Sequence, residues 1–284
     1  MMANERTILI TGATGKQGGA TARALAGKGF RLRAMTRHPD GPAAKAVADG
    51  TSAEIIEGDL NDATSLRNAL KGVWGVFAVQ NTWEAGVQGE EEQGKRLANL
   101  AREAGVQHYV YTSVASAHRK TGIPHFENKF RVEETIRAAG FPSYVIVRPV
   151  FFMENLLSSW FLNGDAIYAA MRPDLRLQMI AVDDIGKYVA RAFTNADKLN
   201  RREIDIAGDD LTIPDAAMHL SRGLGRNIAF VQIPISEVRK NSEDFAMMLE
   251  WFDRVGYDVD IPSLEREFGI EGTRFAKWAA MQKG

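Results

Sequence analysis

The chain has 284 residues, 45% of them hydrophobic and 25% charged, with a formal net charge of -1. That size fits one large α/β domain or a main domain with a smaller lobe, and the balanced charge gives no strong field for nucleic acid or an anionic membrane. Cysteine is absent, which excludes disulfides, thiolate nucleophiles and thiolate metal sites.

Met1 to Arg6 is polar and leads straight into a strand, and no apolar run is long enough to span a bilayer, so a cytoplasmic protein is expected. Thr7 to Thr11 is a short β-branched strand, and Gln17 to Lys28 an Ala-rich helix ended by Gly29. Arg31 to Thr36 predicts a second strand, Ala43 to Ala48 a short helix, Glu54 to Glu57 a third strand and Ala63 to Leu70 a helix closed by Gly72. Val73 to Val79 is almost wholly apolar, as a strand covered on both faces must be; Gly89 to Ala104 is a long amphipathic helix. His108 to Ser113 (strand), Phe126 to Ala139 (helix) and Ser143 to Arg148 (strand) complete the alternation.

Repeated strand–helix units predict a Rossmann-type, doubly wound parallel sheet with ligands at the carboxyl ends of its strands. After Pro149 the rhythm breaks: Phe151 to Phe161 reads as helix, Asp183 to Asn195 as helix, Glu203 to Ala207 as a late strand, and the chain beyond Leu211 as mostly helical. The expected division is residues 1–154 plus about 181–208 as the sheet domain, with about 155–180 plus 209–284 as a smaller, mostly helical lobe.

Gly12-Ala-Thr14-Gly15-Lys16-Gln17-Gly18 follows a strand and opens a helix. The missing side chains let backbone N–H groups approach a pyrophosphate at the positive helix end, and the strand–turn–helix context makes this more than a glycine trio. Lys16 is a phosphate contact or a solvated helix start. At the end of the second strand, where an acid would hold a ribose 2′-hydroxyl, stand Thr36, Arg37 and His38. Arg37 offers a planar guanidinium to a 2′-phosphate, pointing to NADP(H); His38 stacks on adenine or is simply exposed. Asp59 and Leu60 end the third strand beside the expected adenine edge, with helix capping as the rival role for Asp59 or Asp62. Ala78 and Gln80 close the fourth strand, and the Gln80 to Trp83 loop is expected to border cofactor and acceptor. Trp83 stacks on a planar substrate or packs as a lid; core packing is favoured for Trp160, Trp251 and Phe252. The five histidines show no paired ligand spacing, so no metal site is expected.

Thr11 to Gly18, Thr36-Arg37, Gly58-Asp59, Phe151-Phe-Met-Glu-Asn155 and Val182-Asp-Asp-Ile185 together resemble the NmrA-like branch of the atypical short-chain dehydrogenase/reductase superfamily, over most of the chain to about Gly208. That resemblance implies either an NADPH reductase or a protein that senses NADP(H) through a regulatory protein partner, and makes Asn155 a candidate on the nicotinamide side. Active superfamily members surround the nicotinamide with a serine, a tyrosine and a lysine four residues beyond it. Here the matching positions are Ser113, His125 and Lys129: the tyrosine is absent.

Spacing of four turns His125 and Lys129 to one helix face. A ketone accepting hydride becomes a basic alkoxide and needs a proton donor, whereas quinones and cationic dyes give weakly basic or neutral products. The expectation is therefore an NADPH-dependent reductase of activated small acceptors, with Lys129, His125 and Ser113 around the reacting end. The alternative is a catalytically weak redox sensor acting through a partner. A homodimer is compatible with either.

Overall fold

The computed structural model describes residues 6–282; the Met1–Glu5 part of the amino-terminal reading and the last two residues of the expected lobe lie outside them. In chain order the sheet domain runs β1 (Thr7–Ile10), α1 (Lys16–Leu25), β2 (Arg31–Thr36), α2 (Pro42–Thr51), β3 (Glu54–Glu57), α3 (Ala63–Ala69), β4 (Gly75–Ala78), α4 (Thr82–Glu103), β5 (His108–Thr112), α5 (Pro124–Ala138) and β6 (Ser143–Pro149). There follow β7 (Phe151–Phe152), β8 (Leu162–Asn163), β9 (Ala166–Ala169), β10 (Arg176–Ile180), α6 (Val182–Thr194), β11 (Arg202–Ile206), β12 (Asp209–Thr212), α7 (Ile213–Leu224), β13 (Ala229–Gln232), α8 (Ile235–Asn241), α9 (Glu243–Arg254), α10 (Ile261–Phe268) and α11 (Phe275–Ala280).

The main sheet has seven parallel strands in the order β11-β6-β5-β4-β1-β2-β3, so the strand order reverses between β1 and β4. Strand alternation divides its two cores. Ile8 and Ile10 face the layer of α1 and α6, while Leu9, Val76, Tyr109 and Tyr111 face that of α4 and α5. Helices α1 and α6 meet at backbone distance: a Cβ on Gly186 would lie 2.5 Å from the Ala20 carbonyl oxygen.

The C-terminal helices form as expected, but two small sheets, β12-β10-β7 and β13-β9-β8, accompany them. The predicted helix from Phe151 to Phe161 is corrected: the segment is β7, a single 3-10 helix over Met153–Leu157, and a turn into β8. Phe151 and Phe152 pair in parallel with Met179 and Ile180, and Phe151 packs edge-on against Phe161 and Phe252. Burying those rings between sheet and lobe outweighs the local helical pattern. Trp251 and Phe252 are core residues of this lobe, whereas Trp160 is exposed.

Helix α4 begins at Thr82 rather than Gly89, capped by the Asn81 carboxamide, which accepts the Trp83 N–H. It bends at Gly86, whose φ of 74° interrupts the helix. Helix α5 starts at Pro124, a residue suited to a first turn, so His125 lies inside it. No helix among the described residues is long and apolar enough to cross a membrane.

Candidate functional site

The glycine turn sits at the strand-order reversal. Thr11 Oγ1 accepts the Val79 N–H at 2.9 Å and lies 3.2 Å from the Phe77 and Val79 carbonyls, tying the ends of β1 and β4 together. Gly12, at φ 56°, leads out of β1, and Gly15 caps α1 while its own N–H donates to the Gly12 carbonyl at 2.9 Å. A Cβ on Gly18 would fall 2.1 Å from the Gly12 carbonyl oxygen, so only glycine closes the turn this tightly. Gly12, Thr14, Gly15 and Lys16 are exposed, leaving the turn open to an anion. Gln17 is half-buried and accepts from the Thr112 hydroxyl at 2.7 Å, which joins the start of α1 to the end of β5.

Arg37 and His38 are exposed beyond β2. The Arg37 guanidinium is engaged by Glu84, from the first turn of α4. Asp59 forms a local turn, its carboxylate accepting the Asn61 N–H at 2.8 Å, while Asp62 is the cap of α3. The Leu60 carbonyl accepts from Arg96 at 2.8 Å. Ala78 is wholly in the core, so only its backbone can border a ligand. Gln80 is buried, and among the described residues neither its amide nitrogen nor its oxygen has a partner. An unpartnered buried carboxamide costs free energy, and this one, at the carboxyl end of β4, has its oxygen against Gly94 of α4.

His125 and Lys129 share a helix face but are held by different carboxylates. Lys129 Nζ lies 2.8 Å from Glu90 Oε1, deep between α4 and α5. Glu90 also accepts from Thr82 and from Asn128. Burial pushes the Glu90 carboxyl up, but the Lys129 ammonium and these donors outweigh it and hold the group below its ordinary range. Tyr111 lies under Lys129, its ring centroid 5.9 Å from Nζ, with a buried hydroxyl that has no partner among the described residues. Burial first, then Glu90 and Glu133, push that phenol well above its ordinary value, so Tyr111 does not replace the lysine-activated tyrosine that is missing from α5.

His125 Nδ1 lies 2.8 Å from both carboxylate oxygens of Asp244, in the first turn of α9. Its ring faces Trp83 at 5.6 Å, and Trp83 in turn meets Trp160 at 5.5 Å and the edge of Phe245. Trp83 and Trp160 remain 53% and 51% exposed, an aromatic wall open to water. Ser113 is buried, its hydroxyl without a partner among the described residues. Asn155 is half-buried in the 3-10 helix, where its carbonyl accepts from Ser158 at 3.0 Å. Beside it, Glu154 accepts from the Val182 N–H and the Trp278 indole; burial raises its carboxyl.

Glu90 and Asp244 were not among the expected residues. Glu90 carried a signal, a carboxylate on the stripe of α4 that also buries Gly94, Leu97 and Ala101. Asp244 carried none, standing 119 residues from its partner.

A glycine turn opening a helix at the reversal point of a seven-stranded parallel sheet defines a Rossmann-type protein. The chain belongs to the NmrA-like family, whose model matches residues 4–282. It is 29% identical to an NmrA-like family domain-containing oxidoreductase of Aspergillus hancockii, covering 81% of this chain and 76% of that protein. It is 27% identical to the nitrogen metabolite repression protein nmrA of Emericella nidulans, over 95% and 77% of the two chains. Among solved structures, it is similar to the negative transcriptional regulator NmrA in complex with NADP, with TM-score 0.79, 22% identity, and 99% and 96% of the chains covered. The Citrobacter sp. triphenylmethane reductase complexed with NADP(H) matches with TM-score 0.76 and 20% identity, over 97% and 99% of the chains. Both likenesses speak to the fold.

Proposed function

We propose that this protein binds NADP(H) across the carboxyl ends of β1, β2 and β4 and reduces small activated acceptors of quinone or dye type. The residues present fit such a cofactor. The turn that excludes a Cβ at Gly18 offers its amides to the pyrophosphate, Arg37 stands where a 2′-phosphate would lie, and Gln80 has an unpartnered buried carboxamide at the strand end. In this reading residues 6–154 with 181–208 hold the cofactor, and 155–180 with 209–282 form the lobe over it. Lys129, anchored by Glu90, is assigned to the nicotinamide ribose, and Ser113 and Asn155 to the reacting end. When bound, the cofactor supplies hydride; the protein supplies orientation.

The observation that carries the acceptor class is the Trp83–Trp160 wall. Two half-exposed indoles at 5.5 Å, tilted 45° to one another beside a histidine, offer apolar ring faces to a planar acceptor. The triphenylmethane reductase named above supports the same reading. Mixing the protein with NADPH and a panel of quinones, cationic dyes and aldehydes, while following nicotinamide absorbance, tests it. Oxidation with quinones or dyes is expected, and turnover on none of them would overturn it.

A second reading, a redox sensor acting through a partner, is favoured by the Arg37–Glu84 ion pair. A 2′-phosphate taken by Arg37 would release Glu84 and the turn before the Gly86 bend, biasing that segment between two arrangements. Limited proteolysis with and without NADPH checks this: identical patterns would count against a switch.

A further inference from the structure

We propose that Asp244, carried by the C-terminal lobe, is the positioning carboxylate of His125, and that the His125–Asp244 pair delivers the proton that oxygen-centred acceptors require. The proposal rests on the reductase reading and supplies what the missing tyrosine leaves open.

Both Asp244 oxygens lie 2.8 Å from His125 Nδ1, and Oδ1 also accepts the His125 backbone N–H at 3.3 Å. An anionic acceptor at Nδ1 fixes the ring orientation and the tautomer, with hydrogen on Nδ1, and balances the charge of an imidazolium. Among the described residues Nε2 has no protein partner, and the ring borders Trp83 at the aromatic wall. The pair is nearly enclosed: the side chains of His125 and Asp244 are 9% and 14% exposed.

From α9 comes Asp244. From α5 itself comes Lys129, one turn on, and its charge is met by Glu90 from α4 at 2.8 Å. Trp83, Trp160 and Phe245 contribute uncharged rings.

Hydride transfer from NADPH to a quinone oxidises the nicotinamide and leaves a quinol anion with its negative charge on oxygen. The imidazolium, carrying hydrogen on both nitrogens, then gives up its Nε2–H proton: an O–H bond forms on that oxygen, the bonding pair stays on Nε2, and the ring is left as the neutral Nδ1–H tautomer that Asp244 holds; a proton taken up from solvent restores Nε2–H, so that each turnover consumes one proton. A cationic triarylmethane dye differs, because hydride adds to its central carbon and gives a neutral product with no proton needed. The two acceptors therefore separate proton delivery from everything else the site does.

The test is Asp244→Asn, which keeps an oxygen for the His125 backbone N–H while removing the negative charge. The turnover number for a quinone such as menadione should fall about ten- to a hundredfold relative to that for malachite green, with KM for the quinone little changed. His125→Gln should shift the same ratio in the same direction. Equal losses on both acceptors would mean that Asp244 serves only the shape of the site, and would overturn the proposal while leaving the reductase reading intact. A wild-type protein that reduces neither acceptor would overturn both. Imidazole nitrogen NMR gives a readout independent of turnover, with the His125 signal identified by its loss in His125→Gln. Nδ1 should carry hydrogen in the wild type, and the tautomer should change in Asp244→Asn; an unchanged spectrum would overturn the proposal.

Discussion

Lys129 and Glu90 form an enclosed ion pair between α5 and α4, Nζ 2.8 Å from Oε1, with side chains 12% and 1% exposed. The pair ties the helix that bears the expected reacting groups to the helix that begins beside Trp83. Removing one partner leaves the other charge buried and uncompensated, so Glu90→Gln should destabilise the fold by about 3 kcal/mol, read from urea unfolding at neutral pH. The folded-state carboxyl lies below its ordinary value of 4.5, so its contribution is present above that value and is lost as pH falls through the lower folded one. The stability gap between wild type and variant should therefore close only below pH 4.5.

On the proposed reading, Arg37 selects phosphorylated over unphosphorylated cofactor. Arg37→Ala should weaken NADPH roughly ten- to a hundredfold, as loss of a charge-assisted contact implies, and leave NADH nearly unchanged. Glu84→Gln should do the reverse and tighten NADPH severalfold, since it frees the guanidinium from a competing carboxylate. Isothermal titration with both nucleotides checks the pair; equal loss for NADH and NADPH in Arg37→Ala would refute the 2′-phosphate assignment.

Gly18→Ala drives a methyl group to 2.1 Å from the Gly12 carbonyl oxygen and 2.4 Å from its carbon. Backbone cannot yield as a side-chain tip can, so the variant should lose both NADPH binding and at least about 3 kcal/mol of stability. Gly15→Ala meets the same oxygen at 3.2 Å and should be far milder. Melting temperatures with and without NADPH distinguish the two.

His108 gives a pH dependence unrelated to the site. It is fully buried between Trp74 and Phe193, its Nδ1 2.9 Å from Ser143 Oγ, and burial pushes its imidazole down from 6.5 to about 4. The unfolded chain therefore binds a proton that the folded chain refuses, and stability falls as pH drops from 6.5 to about 4. The loss should approach about 3 kcal/mol. His108→Gln should remove that part of the slope in urea unfolding measured across this range.

Tyr111→Phe should leave quinone turnover within about a factor of two, because its hydroxyl is enclosed and stays protonated. A hundredfold loss would show that Tyr111, rather than His125, is the proton source.

What the sequence determined was local. The strand–helix alternation through Arg148, the turn from Gly12 to Gly18, the absence of an acid beside Arg37 and the spacing of His125 and Lys129 are properties of neighbouring residues, where dihedral preference and periodicity act directly. The helix expected over Phe151 to Phe161 failed because β10, far along the chain, offers Phe151 and Phe152 a strand to pair with. Only the tertiary structure set Glu90 against Lys129 and Asp244 against His125, the latter across 119 residues, because a buried charge takes its partner from whatever element packs beside it. The same packing gathered Trp83, Trp160 and Phe245 into one wall, a contact between three separate segments that no spacing along the chain encodes.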